Sequence, residues 1–297
     1  MMANPVFIAR TMHRLFRFYQ WPKNLLVLMP LIFAQELNRP GEVLRALAAT
    51  AAFCLASSGA YIFNDIRDLK QDRGHPVKCR RPLPAGEVAV AVAAVLAVLL
   101  IAAALGVGWW VRPKFLAVLC GYLVLTASYT LVFKHVFLLD VIVVALGFVI
   151  RAMAGAIAIN VVFSNWLMVC TLFLALLLSL GKRRTEIALL DEQAGAHRAV
   201  LDRYDTAFID QLLLLVAGGA LITYTIYTCS PEVVARVGTD KLYMTLPFVL
   251  YGLARYLWLI RETHHGGDPS ALLLRDWPTL ATVGLWMAAC VGLLYWT

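Results

Sequence analysis

Charge is what this 297-residue sequence has least of. Asp, Glu, Lys and Arg make up 15% of it, against about 25% in a soluble globular domain. Hydrophobic residues reach 61% and mean hydropathy is +0.76. Too little polar side chain remains to cover a water-facing surface, which excludes a soluble enzyme, a disordered chain and a secreted disulfide scaffold. Cysteine is sparse and unpatterned: Cys54, Cys79, Cys120, Cys170, Cys229 and Cys290 stand singly, mostly in apolar runs, with no C-x-x-C or Cys/His spacing. They read as small buried hydrophobes rather than disulfides or metal ligands. His13, His75, His135 and the His264–His265 pair form no ligand pattern either. A cleavable signal peptide is not expected: residues 1–24 carry Arg10, Arg14, Arg17 and Lys23 in an interrupted amphipathic stretch without a small-residue cleavage site. With no low-complexity linker, residues 1–297 are expected to form a single domain.

What fills the chain instead is a series of long apolar runs. A bilayer core of about 30 Å takes roughly 17–25 apolar residues per helix. Such runs fall at about 24–38, 43–63, 87–108, 113–133, 137–159, 163–181, 207–228, 242–260 and 277–296. The sequence therefore predicts an all-α, polytopic membrane protein with nine transmembrane helices. The first run is short and bounded by Pro22 and Pro40, and the two long polar connections are 64–86 and 182–206. Positive charge orients the chain. The N-terminus and the loops on its side hold 18 Lys and Arg, the opposite loops hold 6, and Arg151 and Arg255 fall within runs. Lys and Arg collect on the cytoplasmic side, which puts the N-terminal stretch 1–23 and both long loops in the cytoplasm. The net charge of +8 is thus largely topological, and nucleic acid is not an expected partner.

Residues 61–86 run Y-I-F-N-D-I-R-D-L-K-Q-D-R-G-H-P-V-K-C-R-R-P-L-P-A-G. Asn64, Asp68 and Asp72 are spaced i, i+4, i+8, with Asp65 beside the first. If the second helix continues for two more turns, each step of four drifts only about 40° around its axis. These oxygens, with Tyr61 one turn earlier, then point one way. Converging carboxylates and an amide oxygen suit a hard cation such as Mg²⁺, which keeps places for water and substrate phosphates. Lys78, Arg80 and Arg81 follow once Gly74 and Pro76 turn the chain. Acidic and basic clusters side by side are what a metal-bridged diphosphate needs. The plainer account is a solvated loop obeying the positive-inside rule, which explains the Lys and Arg well and the aspartates poorly. Nine side chains between Asp65 and Arg81 are ionised. At roughly 2.5–3.5 kcal/mol each at bilayer depth they would cost about 25 kcal/mol, so the loop lies at a water-filled mouth on either account.

The second long loop opens with G-K-R-R-T-E at Gly181 to Glu186. Lys182, Arg183 and Arg184 at a helix end suit phosphate groups, or equally the favourable placing of cations at a helix C-terminus. Asp191, Asp202 and Asp205 follow, no two of them four apart. Lys23 and Asn24 sit at the start of the first run. Tyr129 and Lys134 stand near the end of the fourth, where Lys134 has the option of snorkelling. Asp140 and Arg151 lie on nearly the same face of the fifth helix but about 16 Å apart along its axis, too far to pair. Arg151, deep in an apolar run, requires a polar cavity or an acidic partner. Arg255 reads as structural.

N-D-x-x-D-x-x-x-D at Asn64 to Asp72, ending the second of nine expected helices, resembles the first aspartate-rich motif of the UbiA prenyltransferase superfamily. Span count and loop positions agree along essentially the whole chain. The resemblance implies an all-α intramembrane enzyme with a central cavity, binding Mg²⁺ and a diphosphate substrate. Most members carry a second D-x-x-x-D where this chain has Gly181 to Glu186. That departure resembles one branch, the polyprenyl-phosphate phosphoribosyltransferases. So do Q-W-P-K-N at Gln20 to Asn24, S-Y-T-L-V-F-K-H at Ser128 to His135 and L-D-V-I-V-V-A-L-G-F-V-I-R-A at Leu139 to Ala152.

The branch implies transfer of 5-phosphoribosyl from 5-phosphoribosyl 1-diphosphate to a polyprenyl (decaprenyl-type) phosphate, releasing diphosphate. The product would serve cell-envelope glycolipid precursor synthesis at the plasma (inner) membrane. On this resemblance Asn64, Asp68 and Asp72 are the Mg²⁺ ligands, and Asp65, Asp68 and Asp72 the catalytic carboxylates. Lys78, Arg81, Lys182 and Arg183 then meet the diphosphate and the sugar 5-phosphate, while Lys23, Tyr61, Tyr129, Lys134 and Arg151 orient the sugar or lipid phosphate. A homo-oligomer, such as a trimer, is left open. Ordinary prenyl transfer from a prenyl diphosphate to an aromatic or other small acceptor shares the fold and first motif but would call for the missing second one. A transporter would need no metal–diphosphate cluster, and no clear inverted-repeat pair of broken helices appears.

Overall fold

The computed structural model describes residues 5–74, 77–191, 204–262 and 276–296. Among them there is helix and no strand. His75, Pro76, Asp202 and the His264–His265 pair lie outside the described residues, as do the side chain of Asp191 and most of the second loop. Helices α1 (Pro5–Leu15), α2 (Met29–Phe33), α3 (Pro40–Arg67), α4 (Leu69–Arg73), α5 (Val90–Val111) and α6 (Pro113–Leu131) come first. They are followed by α7 (Leu139–Ala158), α8 (Asn165–Asp191), α9 (Thr206–Cys229), α10 (Pro231–Val237), α11 (Leu246–Glu262) and α12 (Trp277–Tyr295). Eight helices are long and apolar enough to cross a membrane among the described residues. Their limits fall within a few residues of the expected runs, except that α8 continues to Asp191, ten residues past the expected end.

The first expected span, 24–38, takes a different form. A 3₁₀ helix covers Phe18–Leu28 with Pro22 inside it, and α2 adds five residues. Pro22 and Pro30 both withhold backbone amides that an α-helical ladder would use. By rise alone, 11 residues of 3₁₀ and 5 of α-helix cover about 30 Å, a bilayer core's thickness. Among the described residues eight spanning helices stand where nine were expected, and the first expected run is not one of them.

The chain packs as two compact units. Unit 1 is residues 1–31, 39–133 and 150–161; unit 2 is 32–38, 134–149 and 162–297, so α7 passes from one to the other. In unit 1, Val27, Phe53, Phe115, Leu119 and Tyr122 form the core together with alanines of α3, α5 and α7. Small residues let spanning helices approach closely, where lipid supplies no hydrophobic drive between them. At Gly59 of α3, a Cβ would stand 3.1 Å from the Ala97 carbonyl oxygen of α5. At Gly155 of α7, a Cβ would collide with the Val27 carbonyl oxygen, so the 3₁₀ backbone lies directly on α7.

In unit 2, Leu177, Ile209, Leu213, Tyr256 and Ile260 are among the core residues. Polar ties lock its helices together. Arg184 of α8 donates to Asp210 of α9 at 2.5 Å and to the Ile260 carbonyl of α11 at 2.8 Å. Trp286 of α12 donates to the Tyr224 hydroxyl at 2.9 Å. Arg255 of α11, expected to be structural, pairs with Asp276 at 2.8 Å and lies over the Trp258 ring. Asp276 also caps α12, accepting from the Thr279 amide at 3.0 Å.

All six cysteines are free. Cys54 and Cys290 are buried and Cys79 and Cys170 half-buried, but Cys120 and Cys229 are exposed, which corrects the expectation of uniform burial. Both exposed thiols stand on spanning helices, where an apolar side chain meets lipid and gains little from burial.

Two outcomes follow from these ties. Gly155→Ala should lower stability by about 1–3 kcal/mol through overpacking, whereas Gly284→Ala, with open space around it, should not. Thermal unfolding in detergent separates them, and equal midpoints would remove the close approach. Hydrogen bonds from Arg255 and Thr279 hold the Asp276 carboxyl well below the usual carboxylate range. A folded pKa below the unfolded value of about 3.9 gives stabilisation that is present above that pH and lost as pH falls beneath it. The midpoint difference between wild type and Asp276→Asn should therefore hold from about pH 7 to 5 and shrink below about pH 4.

Candidate active site

The acidic motif keeps its helical register past the end of α3. Asp68 has φ −90° and ψ 4°, which marks a break, yet the Asp68 amide bonds the Asn64 carbonyl and the Asp72 amide bonds the Asp68 carbonyl, each at 2.9 Å. The side chains then sort into two pairs. The Asn64 amide donates to Asp68 Oδ2 at 3.2 Å. Asp65 and Asp72 instead share Arg81, whose Nη1 lies 3.1 Å from Asp65 Oδ1 and 2.7 Å from Asp72 Oδ2. Lys78 Nζ stands 3.9 Å from Asp72 Oδ1. Asp65 is 3% exposed, and its Oδ1 also takes Arg17, whose guanidinium lies 4.8 Å over the Tyr61 ring.

Arg17 is a residue that sequence reasoning gave no role. It sits in the left-handed region at φ 53°, a conformation costing a non-glycine residue roughly 1–3 kcal/mol and held only when its surroundings over-determine it. The buried bond to Asp65 is part of that determination. Behind Arg17, α1 braces the basic segment: Thr11 and Arg14 both bond Glu87, at 3.0 and 2.9 Å, and Arg14 also donates to the Arg80 carbonyl.

Deeper in unit 1, Arg151 is 6% exposed. Its Nε donates to Asn24 Oδ1 and its Nη2 to the Tyr122 hydroxyl, both at 2.8 Å. Asn24 completes its own needs by donating to Ser57 Oγ at 3.2 Å and Cys54 Sγ at 3.4 Å. Gly155, one turn beyond Arg151, is what allows the 3₁₀ backbone to bring Asn24 this close. Asn24 stood out only as part of Q-W-P-K-N, and Tyr122 gave no signal at all. Lys23 and Tyr129 are half-buried in unit 1.

Unit 2 holds the other cations. Lys134 is buried in a single 3₁₀ turn, Phe133–His135. Of the three basic residues of Gly181–Glu186, Arg184 bonds Asp210 and Arg183 bonds Asp140 through Nε at 2.7 Å and Glu186 through Nη1. Lys182 is left facing outward, its side chain 53% exposed and 4.0 Å from Glu186. The partner of Asp140 is therefore Arg183, 43 residues away, and Tyr204 completes the carboxylate from the other side at 2.6 Å.

Among the described residues no three His, Cys, Asp or Glu side chains stand close enough to hold a metal ion by themselves. The donor set nevertheless fits Mg²⁺. That ion is held through one or two carboxylates, with water and substrate phosphates filling the rest, and Asn64 with Asp68 offers an amide and a carboxylate on consecutive turns.

Residues 25–280 match the UbiA prenyltransferase family, and the chain belongs to it: a membrane-embedded enzyme of the transferase class. It is similar to decaprenyl-phosphate phosphoribosyltransferase from Mycolicibacterium smegmatis, 34% identical over 72% of this chain and 68% of that one. The protein of the same name from Corynebacterium glutamicum is 31% identical over 98% of this chain and 89% of its own. Among solved structures, a UbiA homolog from Archaeoglobus fulgidus bound to GPP and Mg²⁺ shares the fold. Its TM-score is 0.72 at 17% identity, covering 96% of this chain and 99% of that one.

Removing one partner of a buried ion pair costs about 3–5 kcal/mol because the other charge is left uncompensated. Asp65→Asn should therefore destabilise far more than Arg14→Ala at the more exposed Glu87 pair, where about 1 kcal/mol or less is at stake. Thermal denaturation of the two variants side by side is the check, and an Asp65→Asn protein as heat-resistant as wild type would dismiss the shared carboxylate as a stabilising element.

Proposed function

We propose that the protein transfers a 5-phosphoribosyl group from 5-phosphoribosyl 1-diphosphate to a polyprenyl phosphate of decaprenyl type, releasing diphosphate. The observation that carries the reading is one carboxylate-and-cation cluster at the end of α3, where Asn64 and Asp68 meet at 3.2 Å beside Arg81 and Lys78 on Asp72. Similarity to two decaprenyl-phosphate phosphoribosyltransferases supports the choice of donor, as does the set of cations at Lys182 to Arg184 in place of a second acidic motif. Asn64, Asp68 and Asp72 would hold Mg²⁺, which when bound neutralises charge on a departing diphosphate. Lys78, Arg81, Lys182 and Arg183 serve the diphosphate and the sugar 5-phosphate. Lys23, Tyr61, Tyr129, Lys134 and Arg151 orient the sugar or the lipid phosphate.

The step breaks the C1–O bond to diphosphate, which leaves with the electron pair, and forms a bond from C1 to a lipid phosphate oxygen. Positive character develops at C1 meanwhile, as in other glycosyl transfers. The lipid phosphate is already an anion, so no side chain need remove a proton from it. Both long loops would face the cytoplasm of a plasma-membrane enzyme, given the excess of Lys and Arg on their side. A second reading is prenyl transfer from a prenyl diphosphate, favoured by the fold shared with a UbiA homolog bound to GPP and Mg²⁺.

Purified protein, Mg²⁺, a polyprenyl phosphate and radiolabelled phosphoribosyl diphosphate, followed by organic extraction, test the two. Label should enter the lipid phase and be lost on chelation, and Asp68→Ala should reduce it at least about 10²-fold while remaining folded. Label confined to water, with product from prenyl diphosphate and an acceptor panel instead, would transfer the assignment to prenyl transfer.

A further inference from the structure

Five side chains of unit 2 form a line from a buried phenol to an exposed amine. Asp140 is 0% exposed and both of its oxygens are engaged, Oδ1 by the Tyr204 hydroxyl at 2.6 Å and Oδ2 by Arg183 Nε at 2.7 Å. Arg183 Nη1 donates to Glu186 Oε2, and Glu186 Oε1 lies 4.0 Å from Lys182 Nζ. Charge alternates along the line while exposure rises: the Arg183 side chain is 5% exposed, Glu186 32% and Lys182 53%. The Arg183 guanidinium is the buried inner cation of the line, held between two carboxylates, and Lys182 is the exposed outer one, placed to meet a soluble anion.

The inner end is fixed by Tyr204. Its hydroxyl oxygen accepts from the Leu138 amide at 3.1 Å while its proton goes to Asp140, and its ring packs on Phe137 at 4.6 Å. Leu138 is itself in the left-handed region, φ 64°, a conformation that persists only where neighbours enforce it. Burial and the adjacent Asp140 push the Tyr204 pKa up. The phenol therefore keeps the proton that its donor role needs across the neutral range.

We propose that Tyr204 and Asp140 are positioning residues which, through Arg183 and Glu186, hold Lys182, in the last third of α8, for the diphosphate of the substrate. This rests on the diphosphate reading above but not on which donor carries it. Tyr204→Phe keeps the ring packing and removes only the oxygen.

The test is titration calorimetry of the full-length protein with inorganic diphosphate and Mg²⁺, on wild type, Tyr204→Phe, Lys182→Ala and the double variant. Tyr204→Phe should weaken binding about fivefold to tenfold and Lys182→Ala at least about tenfold. The double variant should be no weaker than Lys182→Ala by more than about twofold, since both act at one point. Glu186→Gln, at a partly exposed position, should reproduce the Tyr204→Phe loss. In turnover, the KM for phosphoribosyl diphosphate should rise by the same factor in Tyr204→Phe with kcat within about twofold.

Wild-type affinity in Tyr204→Phe, losses that multiply in the double variant, or binding indifferent to Lys182 would each overturn the proposal. If the binding pattern holds while no label moves from phosphoribosyl diphosphate, the donor assignment fails and the positioning role stands. If label moves and Tyr204→Phe keeps the wild-type KM, the reverse is true.

Discussion

Asp65 stands where three separate stretches of unit 1 meet, and its carboxylate is what they have in common. Arg17 comes to it from the turn before the 3₁₀ helix, and Arg81 from the loop after α4. A carboxylate this deeply buried is costly unless paired and hydrogen-bonded, and here two guanidinium groups meet that need. The same contact decides where the other side chains of the acidic motif stand. Arg81 spans Asp65 and Asp72, and Lys78 follows it to Asp72. Asn64 and Asp68, on the neighbouring face, remain with each other. The arrangement of the acidic motif is thus a consequence of neutralising one buried charge.

Unit 2 obeys the same constraint with different residues. Asp140 is answered by Arg183 and Tyr204, Arg184 by Asp210 and a carbonyl of α11, and Arg255 by Asp276. In a chain with so few charges, each one placed among apolar helices needs an assigned partner, because the surrounding lipid offers none. Polar networks that tie one helix to another arise from that need.

Much of this was legible in the sequence because hydropathy is a property of single segments. Eight spans could be read from apolar runs, and the i, i+4, i+8 spacing of Asn64, Asp68 and Asp72 survives in the backbone bonds beyond α3. What could not be read depends on partners distant in the chain. The extension of α8 to Asp191 runs through Lys182, Arg183 and Arg184, which look like solvent-facing charges until Asp140 and Asp210 are seen beside them. Spacing aimed Asp72 with Asp68, but Arg81 turns it toward Asp65. Arg151 was expected to face a cavity or an acid; the neutral oxygens of Asn24 and Tyr122 are two groups that hold it. The first expected run was read with 3.6 residues per turn, and the helix over Phe18–Leu28 has three.

That three-residue period orders the segment itself. Side chains three apart in a 3₁₀ helix lie one above another, so Phe18, Trp21, Asn24 and Val27 form a single ridge. Phe18 and Trp21 touch edge to face at 4.5 Å. Trp21 bonds Ser58, Asn24 bonds Arg151, and Val27 lies beneath Gly155. One inserted or deleted residue would swing everything beyond it by about 120°, taking Asn24 and Val27 off α7 together. The segment can exchange individual side chains and keep its place. Its length is the quantity evolution is least free to alter.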